Sequence, residues 1–366
     1  MKKKIKLHKI GYQDLNTVKI DILEKLPIPF GLIRYGVAPD YSELKNVINT
    51  FYKVAINPHV KFVGNVTVGL DVIKDLENVN NVISPQNFVG WYNGVPENKN
   101  FKINLHVEKV VVIGQNNVAI DIARNLLTPV DKLKVIPLCH SKLRKVFMVG
   151  RRGPMQAAFM IAKLREILNL ESCRTFWREQ DFENIEAMVP TLDRTRKRQI
   201  ELMLQSLKES KCDSMYTKEL YPIFLRSPVE FLGDKKLEVA EMTGDFEEIL
   251  CGLGLRSIGY KAVQIDNLIP FNTKKRHVEN TNGKVEGNLY IAGWATTGST
   301  DVLIKTMTNA FQVAKLIHNE LSSNTTKQAH DWQRIDRVEQ ERGKRQEKVR
   351  EKIVNVTEML EIAENV

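Results

Sequence analysis

A chain of 366 residues with a formal net charge of +10 and 43% hydrophobic residues has the makeup of a globular protein of roughly two to three domains. No apolar run approaches the ~20 residues of a membrane span, and four scattered cysteines without a C-x-x-C pair or zinc-ligand spacing argue against a disulfide reductase and a zinc site. The basic residues are not interleaved with stacking aromatics, which disfavours a nucleic-acid binder.

The opening "MKKKIKLHKIG" is basic but lacks the Arg and Ser of a presequence, and it reads as a solvated terminus. Val18 to Leu23 alternate as a strand, and Glu24 stands at its end. An acid there accepts hydrogen bonds from dinucleotide ribose hydroxyls, about 20 residues after a G-x-G-x-x-G turn. Only 17 residues precede Val18, and their single glycine, Gly11, makes no such turn. The first strand–turn–helix of that site is therefore expected to be absent, leaving the site around Glu24 incomplete. Ser42 caps a helix from Glu43 to about Ala55, "VKFVGN" is a short strand, and "VGLDVIKDLENV" is a helix.

A domain boundary is expected near "PENKNFKIN", because Val107 to Ile113 begins a fresh βα unit. "VEKVVVIGQNNVAIDIARNLL" has the layout of a second dinucleotide site: apolar strand, tight turn at Gly114, then a helix with the small Ala119 where it packs on the strand. Amides at the helix start suit a pyrophosphate. Asn116 replaces the middle glycine; it tolerates left-handed backbone, and its side chain is expected to crowd the phosphate. The next strand, "KVFMVG", ends in Arg151 and Arg152 instead of an acid. Two guanidinium groups there suit a 2′-phosphate, so the nucleotide is NADP(H) and not NAD(H).

"MQAAFMIAKLREILNL" reads as a long helix, and Arg194 to Lys208 as a basic one. "KLEVAEM", "EILCGLGL" and "NLYIAGW" read as strands, Ser299 to Leu321 as a helix, and the charged tail from Ser322 as a solvated face. Alternating strands and helices make the class α/β with parallel sheet.

Together, "EKLPIPFGLIRYGVAPD", "FVGWYNG", "GQNNVAIDIARNLLTP", "VGRRGP", "TMTNAF" and "REKIVNVTEML" resemble the mitochondrial NADPH:ferredoxin (adrenodoxin) reductase family, along Val18 to about Leu360. The resemblance implies two Rossmann-like domains: an FAD domain, discontinuous and incomplete here, at 1–105 and 263–366, and an NADP domain at 106–262. It implies hydride transfer from NADPH to FAD and single-electron release to a [2Fe-2S] ferredoxin, with no catalytic Ser, Cys or His nucleophile. It further implies a monomer of the mitochondrial matrix, compatible with peripheral association with the inner membrane.

By the same resemblance Glu24, Leu32, Val68, Trp294, Asp301, Val302 and Leu303 match FAD-contacting positions. Gly114, Gln115, Asn116, Asn117, Val118, Arg151, Arg152 and Lys163 match the NADP site, and the segment holding Arg194, Arg196, Lys197 and Arg198 matches a basic docking surface for the acidic ferredoxin. Lys163 departs from a family Glu and Asp301 from a family glycine, where a carboxylate would repel the cofactor's charge. A second gap is expected between Val79 and Phe88, and a third before Trp332. Two other readings stay open: an NADP(H)- or ferredoxin-binding protein without turnover, and an electron-input protein resembling that of glutamate synthase.

Overall fold

The computed structural model describes residues 20–27, 29–38, 41, 47–64, 81–95, 98, 101–133, 138, 141–209, 216–232, 236–241, 244–259, 262–264, 266–297 and 303–323. Contacts divide the chain into two units, one of residues 1–37, 41–74 and 260–366, the other of residues 38–40 and 75–259.

The first unit begins with β1 (Ile20–Leu23), paired in parallel with β2 (Val60–Val63), Ile20 opposite Val60 and Leu23 opposite Val63. Parallel strands need a crossover; here it carries α1 (Gly31–Tyr35) and α2 (Val47–Ala55). Phe30 is buried, its ring 5.9 Å from that of Phe51 and 6.4 Å from that of Phe62. The expected helix at 68–79 lies outside the described residues, which resume at Asn81 within the stretch between Val79 and Phe88.

The second unit is built on six parallel strands in the order β3–β11–β4–β5–β7–β6. In chain order these elements are β3 (Val82–Ile83), α3 (Pro85–Tyr92), β4 (Lys109–Ile113), α4 (Asn117–Leu127), β5 (Lys145–Val149), α5 (Ile161–Leu168) and β6 (Cys173–Thr175). There follow α6 (Ile185–Met188), α7 (Arg194–Glu209), β7 (Lys218–Ile223), an antiparallel meander of β8 (Arg226–Leu232), β9 (Lys236–Glu241) and β10 (Phe246–Leu250), and β11 (Leu253–Arg256).

Strand periodicity explains the apolar run "KVVVI". Val110 and Val112 join one core with Ile120, Leu127, Leu164 and Met203 from the helices. Val111 and Ile113 join another with Leu237, Val239 and Ile249 from the meander. Both faces are covered, so alternation with polar residues is lost.

Three expected elements differ. "EILCGLGL" is two strands in different sheets, broken at Cys251–Gly252, where a Cβ on Gly252 would meet Val107 at 2.5 Å. The helix expected from Met155 starts only at Ile161, because Ala158 bridges to Asn116 and donates its amide to the Gln115 carbonyl at 2.7 Å. "NLYIAGW" holds only a two-residue strand. Residues 75–105, expected with the first domain, cluster with the second unit, since β3 pairs β11 and α3 packs on α4 and β11.

The first unit resumes with β12 (Phe271–Asn272), β13 (His277–Val278), β14 (Lys284–Glu286) and β15 (Leu289–Tyr290), then α8 (Trp294–Thr297) and α9 (Leu303–Ser323). Lys284 and Tyr290 both bond Glu320 of α9, and the Glu320 carboxylate pushes the Tyr290 phenol up to about 12.

Candidate nucleotide site

In the second unit β4 pairs with β5 on one side and β11 on the other. The carboxyl edge between β4 and β11 is thus a switch point, where open α/β sheets bind ligands. Gly114, following β4, has a φ of 131°, and a Cβ there would lie 2.0 Å from the Ser257 carbonyl oxygen. Only glycine fits this turn.

Asn116 is the N-cap of α4, with extended backbone (φ −123°, ψ 176°), so its tolerance of left-handed backbone is not used. Its Oδ1 accepts from the Ala119 amide at 2.9 Å and from the Ser257 hydroxyl at 3.1 Å, while its Nδ2 donates to the Ser257 carbonyl at 2.7 Å. The side chain therefore ties the turn to the end of β11. This corrects the expectation that it would crowd the phosphate. Gln115 also points into the fold, donating to the Met148 and Ile223 carbonyls at 3.1 and 3.0 Å. Asn117 accepts the Met160 amide at 2.8 Å, and Val118 packs against the helix-face core.

What these residues leave for a nucleotide is main chain: a close-approach glycine and the first-turn amides that a helix cannot satisfy internally. The far end of α4 is fixed by Lys218, whose ammonium, its pKa lowered by burial, donates to the Leu126 and Thr128 carbonyls at 2.9 Å each. Cations at a helix C-terminus also favour its dipole.

Arg151 and Arg152 follow β5, beside the Gly114 turn, whose amide donates to the Val149 carbonyl at 2.8 Å. Both are exposed, and neither has an acidic partner among the described residues. These residues fit the adenosine side of a 2′-phosphorylated dinucleotide. Lys163 is placed differently: on α5, its side chain 12% exposed, it pairs with Asp121 of α4 at 2.9 Å in a group with Arg124 and Glu166. Its charge is committed between helices. Arg256, which the sequence reading did not single out, ends β11 opposite Ile113, its Nε buried and without a hydrogen-bond partner among the described residues. Its apolar neighbours in "GLGLRSIG" gave no sign of the switch point.

In the first unit Glu24 lies at the carboxyl end of β1, its Oε1 accepting the Leu26 amide at 3.2 Å. Leu32 falls within α1 and Leu303 opens α9. Trp294 is half-buried at the start of α8, after Gly293 (φ 84°), whose amide donates to Asn309 Oδ1 at 2.8 Å. Val68, Asp301 and Val302 lie outside the described residues. The described residues of this unit include an acid at a strand end and a half-buried aromatic, but no long helix starting at a glycine turn of the β4–α4 kind.

The basic segment opens α7, capped by Asp193, which accepts the Thr195 and Arg196 amides at 2.9 and 3.1 Å. Arg194, Lys197 and Arg198 are exposed. Arg196 instead turns inward to the Ala157 carbonyl and Gln199. Cys173 and Cys251 are buried, which pushes the Cys173 thiol up to about 12 and the Cys251 thiol to about 11 and disfavours the reactive thiolate.

No family profile matches the chain. It is 40% identical to the NADPH:adrenodoxin oxidoreductase of Drosophila melanogaster, covering 96% of this chain and 89% of that protein. With the Homo sapiens protein of the same name it shares 34% identity, over 94% of this chain and 86% of the relative. Among solved structures, FprA of Mycobacterium tuberculosis in complex with NADPH superposes with a TM-score of 0.75 at 26% identity, over 90% of this chain and 83% of FprA. The fly comparison runs over 416 positions, against 366 residues in the whole chain, so at least 50 of them face gaps in this sequence.

Proposed function

The chain belongs to the NADPH:adrenodoxin oxidoreductase family, and from that premise we propose that it carries electrons from NADPH through FAD to a [2Fe-2S] ferredoxin in the mitochondrial matrix. The observation that carries the reading of this chain is the pairing, on adjacent strands, of the Gly114 turn with Arg151 and Arg152. When bound, FAD accepts a hydride and releases electrons singly.

The protein's own contribution is placement. First-turn amides of α4 hold the pyrophosphate, the two arginines hold the 2′-phosphate, and Arg256 adds a cation at the same sheet edge. Glu24 would orient the FAD ribose, and Trp294 would border the flavin. Arg194, Lys197 and Arg198 form the ferredoxin-docking surface of a monomer, where opposite charge speeds encounter. Asn116 and Gln115 hold the turn in shape.

Among the described residues β1 pairs with β2 alone, which together with the alignment gaps supports a second reading: nucleotide and ferredoxin binding with weak flavin retention. The deciding experiment is NADPH-driven reduction of a [2Fe-2S] ferredoxin, with and without added FAD. Turnover with ferredoxin supports the first reading. NADPH binding without turnover at saturating FAD supports the second, and turnover only with other acceptors overturns both.

A further inference from the structure

The turn carrying Arg151 and Arg152 hangs from a corner of the chain between β7 and β8. Leu225 in that corner has a φ of 53°, a region bulky side chains rarely enter. Its amide donates to the Arg152 carbonyl at 3.3 Å, and the Arg226 amide donates to the Gly150 carbonyl at 3.1 Å. The Gly150 amide returns a bond to the Ile223 carbonyl at 2.9 Å. Both sides of the arginine turn are therefore fixed to the corner by main-chain bonds.

Such a strained conformation persists only where its surroundings over-determine it. Two groups do so here. Asp181, 3% exposed, accepts the amide of the fully buried Phe224 at 2.9 Å. Arg226, 5% exposed, donates from Nη1 to the Leu225 carbonyl at 3.2 Å and from Nε to Glu247 at 3.2 Å; Glu247 also takes Arg178 at 2.9 Å. Burial raises the Asp181 carboxyl pKa, while the Phe224 amide and the two guanidiniums oppose that rise. The carboxylate thus sits at the corner in a charged frame that spans β8, β10 and the Arg178–Phe182 turn.

We propose that Asp181 and Arg226 are positioning residues for 2′-phosphate selectivity, acting through the Phe224–Arg226 corner on the main chain of 150–152. The inference rests on the reading of Arg151 and Arg152 as 2′-phosphate ligands. NADPH and NADH differ only in that phosphate, so the ratio of their affinities reports the arginine turn and cancels losses shared by the whole fold.

The experiment titrates the full chain and its Asp181→Ala, Asp181→Asn and Glu247→Ala variants with both nucleotides. Asp181→Ala should weaken NADPH by about tenfold while NADH stays within about twofold. Asp181→Asn keeps an oxygen for the Phe224 amide and should hold NADPH within about threefold. Glu247→Ala, at a position 36% exposed, takes the carboxylate from Arg226 and Arg178 while leaving Asp181 and its bond to the Phe224 amide in place, and should weaken NADPH alone by about threefold. Should Asp181→Ala not fold, Glu247→Ala decides. Equal loss of both nucleotides, or no loss of NADPH, overturns the proposal. Wild-type protein that binds both alike overturns the arginine reading itself, before any variant is made, and this inference with it.

Discussion

Asn116→Gly restores the glycine usual at the middle of a dinucleotide turn, and the structure says that it harms the protein. The extended backbone at 116 gains nothing from glycine, which adds about 0.5–1 kcal/mol of chain entropy to lose on folding. Glycine replaces the N-cap at a cost of a few tenths of a kcal/mol. The larger loss falls on Ser257, 1% exposed, whose hydroxyl and carbonyl lose partners at 3.1 and 2.7 Å. A buried polar group left unsatisfied costs about 1–3 kcal/mol. With one of the two Ser257 groups left unsatisfied and the other finding a new partner, the total is about 2–4 kcal/mol, or roughly 5–15 °C in Tm for a unit of this size.

Calorimetry of wild type, Asn116→Gly, Ser257→Ala and the double variant checks this. The two sites should couple, with the double variant losing less than the sum of the singles, because each single strands the other's groups. NADPH titration on the same proteins should show affinity unchanged or reduced in Asn116→Gly. Tighter NADPH binding with an unmoved Tm would mean that the side chain faces the nucleotide and that the reasoning is wrong.

Replacing Arg151 and Arg152 together by Ala should weaken NADPH by about 10- to 100-fold and NADH by less than about threefold, since exposed charges contribute only when bonded to the phosphate; equal losses in a fluorescence titration would remove the assignment. Charge reversal at Arg194 and Arg198 should slow ferredoxin association and flatten its salt dependence without touching NADPH binding, and a salt series with no slope would place docking elsewhere. Arg196→Ala should instead lower Tm, because that side chain is bonded to the Ala157 carbonyl and Gln199. Inserting the fly relative's residues at the internal alignment gaps should raise the bound flavin absorbance; a stoichiometric flavin spectrum from the chain as it stands would show that the β1–β2 unit suffices.

The sequence by itself determined the α/β class, the family, and the strands that are apolar enough to be buried: "VKFV", "KVVVI" and "KVFMV" all appear where expected. The turn at Gly114 and the placement of the paired arginines at a strand end were legible because both are local features, a turn that forbids a side chain and the residues next along the chain after an apolar strand. Other features were decided only by tertiary structure, since their partners lie far along the chain. Asn116 faces Ser257, 141 residues away; Lys163 answers Asp121 on another helix; β11 inserts between β3 and β4, which are consecutive in sequence. "EILCGLGL" reads as one apolar run because both halves are buried, and periodicity carries no information about which sheet receives each half. A corner such as Phe224–Arg226 has no sequence signature: a left-handed leucine is disfavoured locally, and the groups bonded to the corner, Asp181, Glu247 and the main chain of 150–152, lie far from it along the chain.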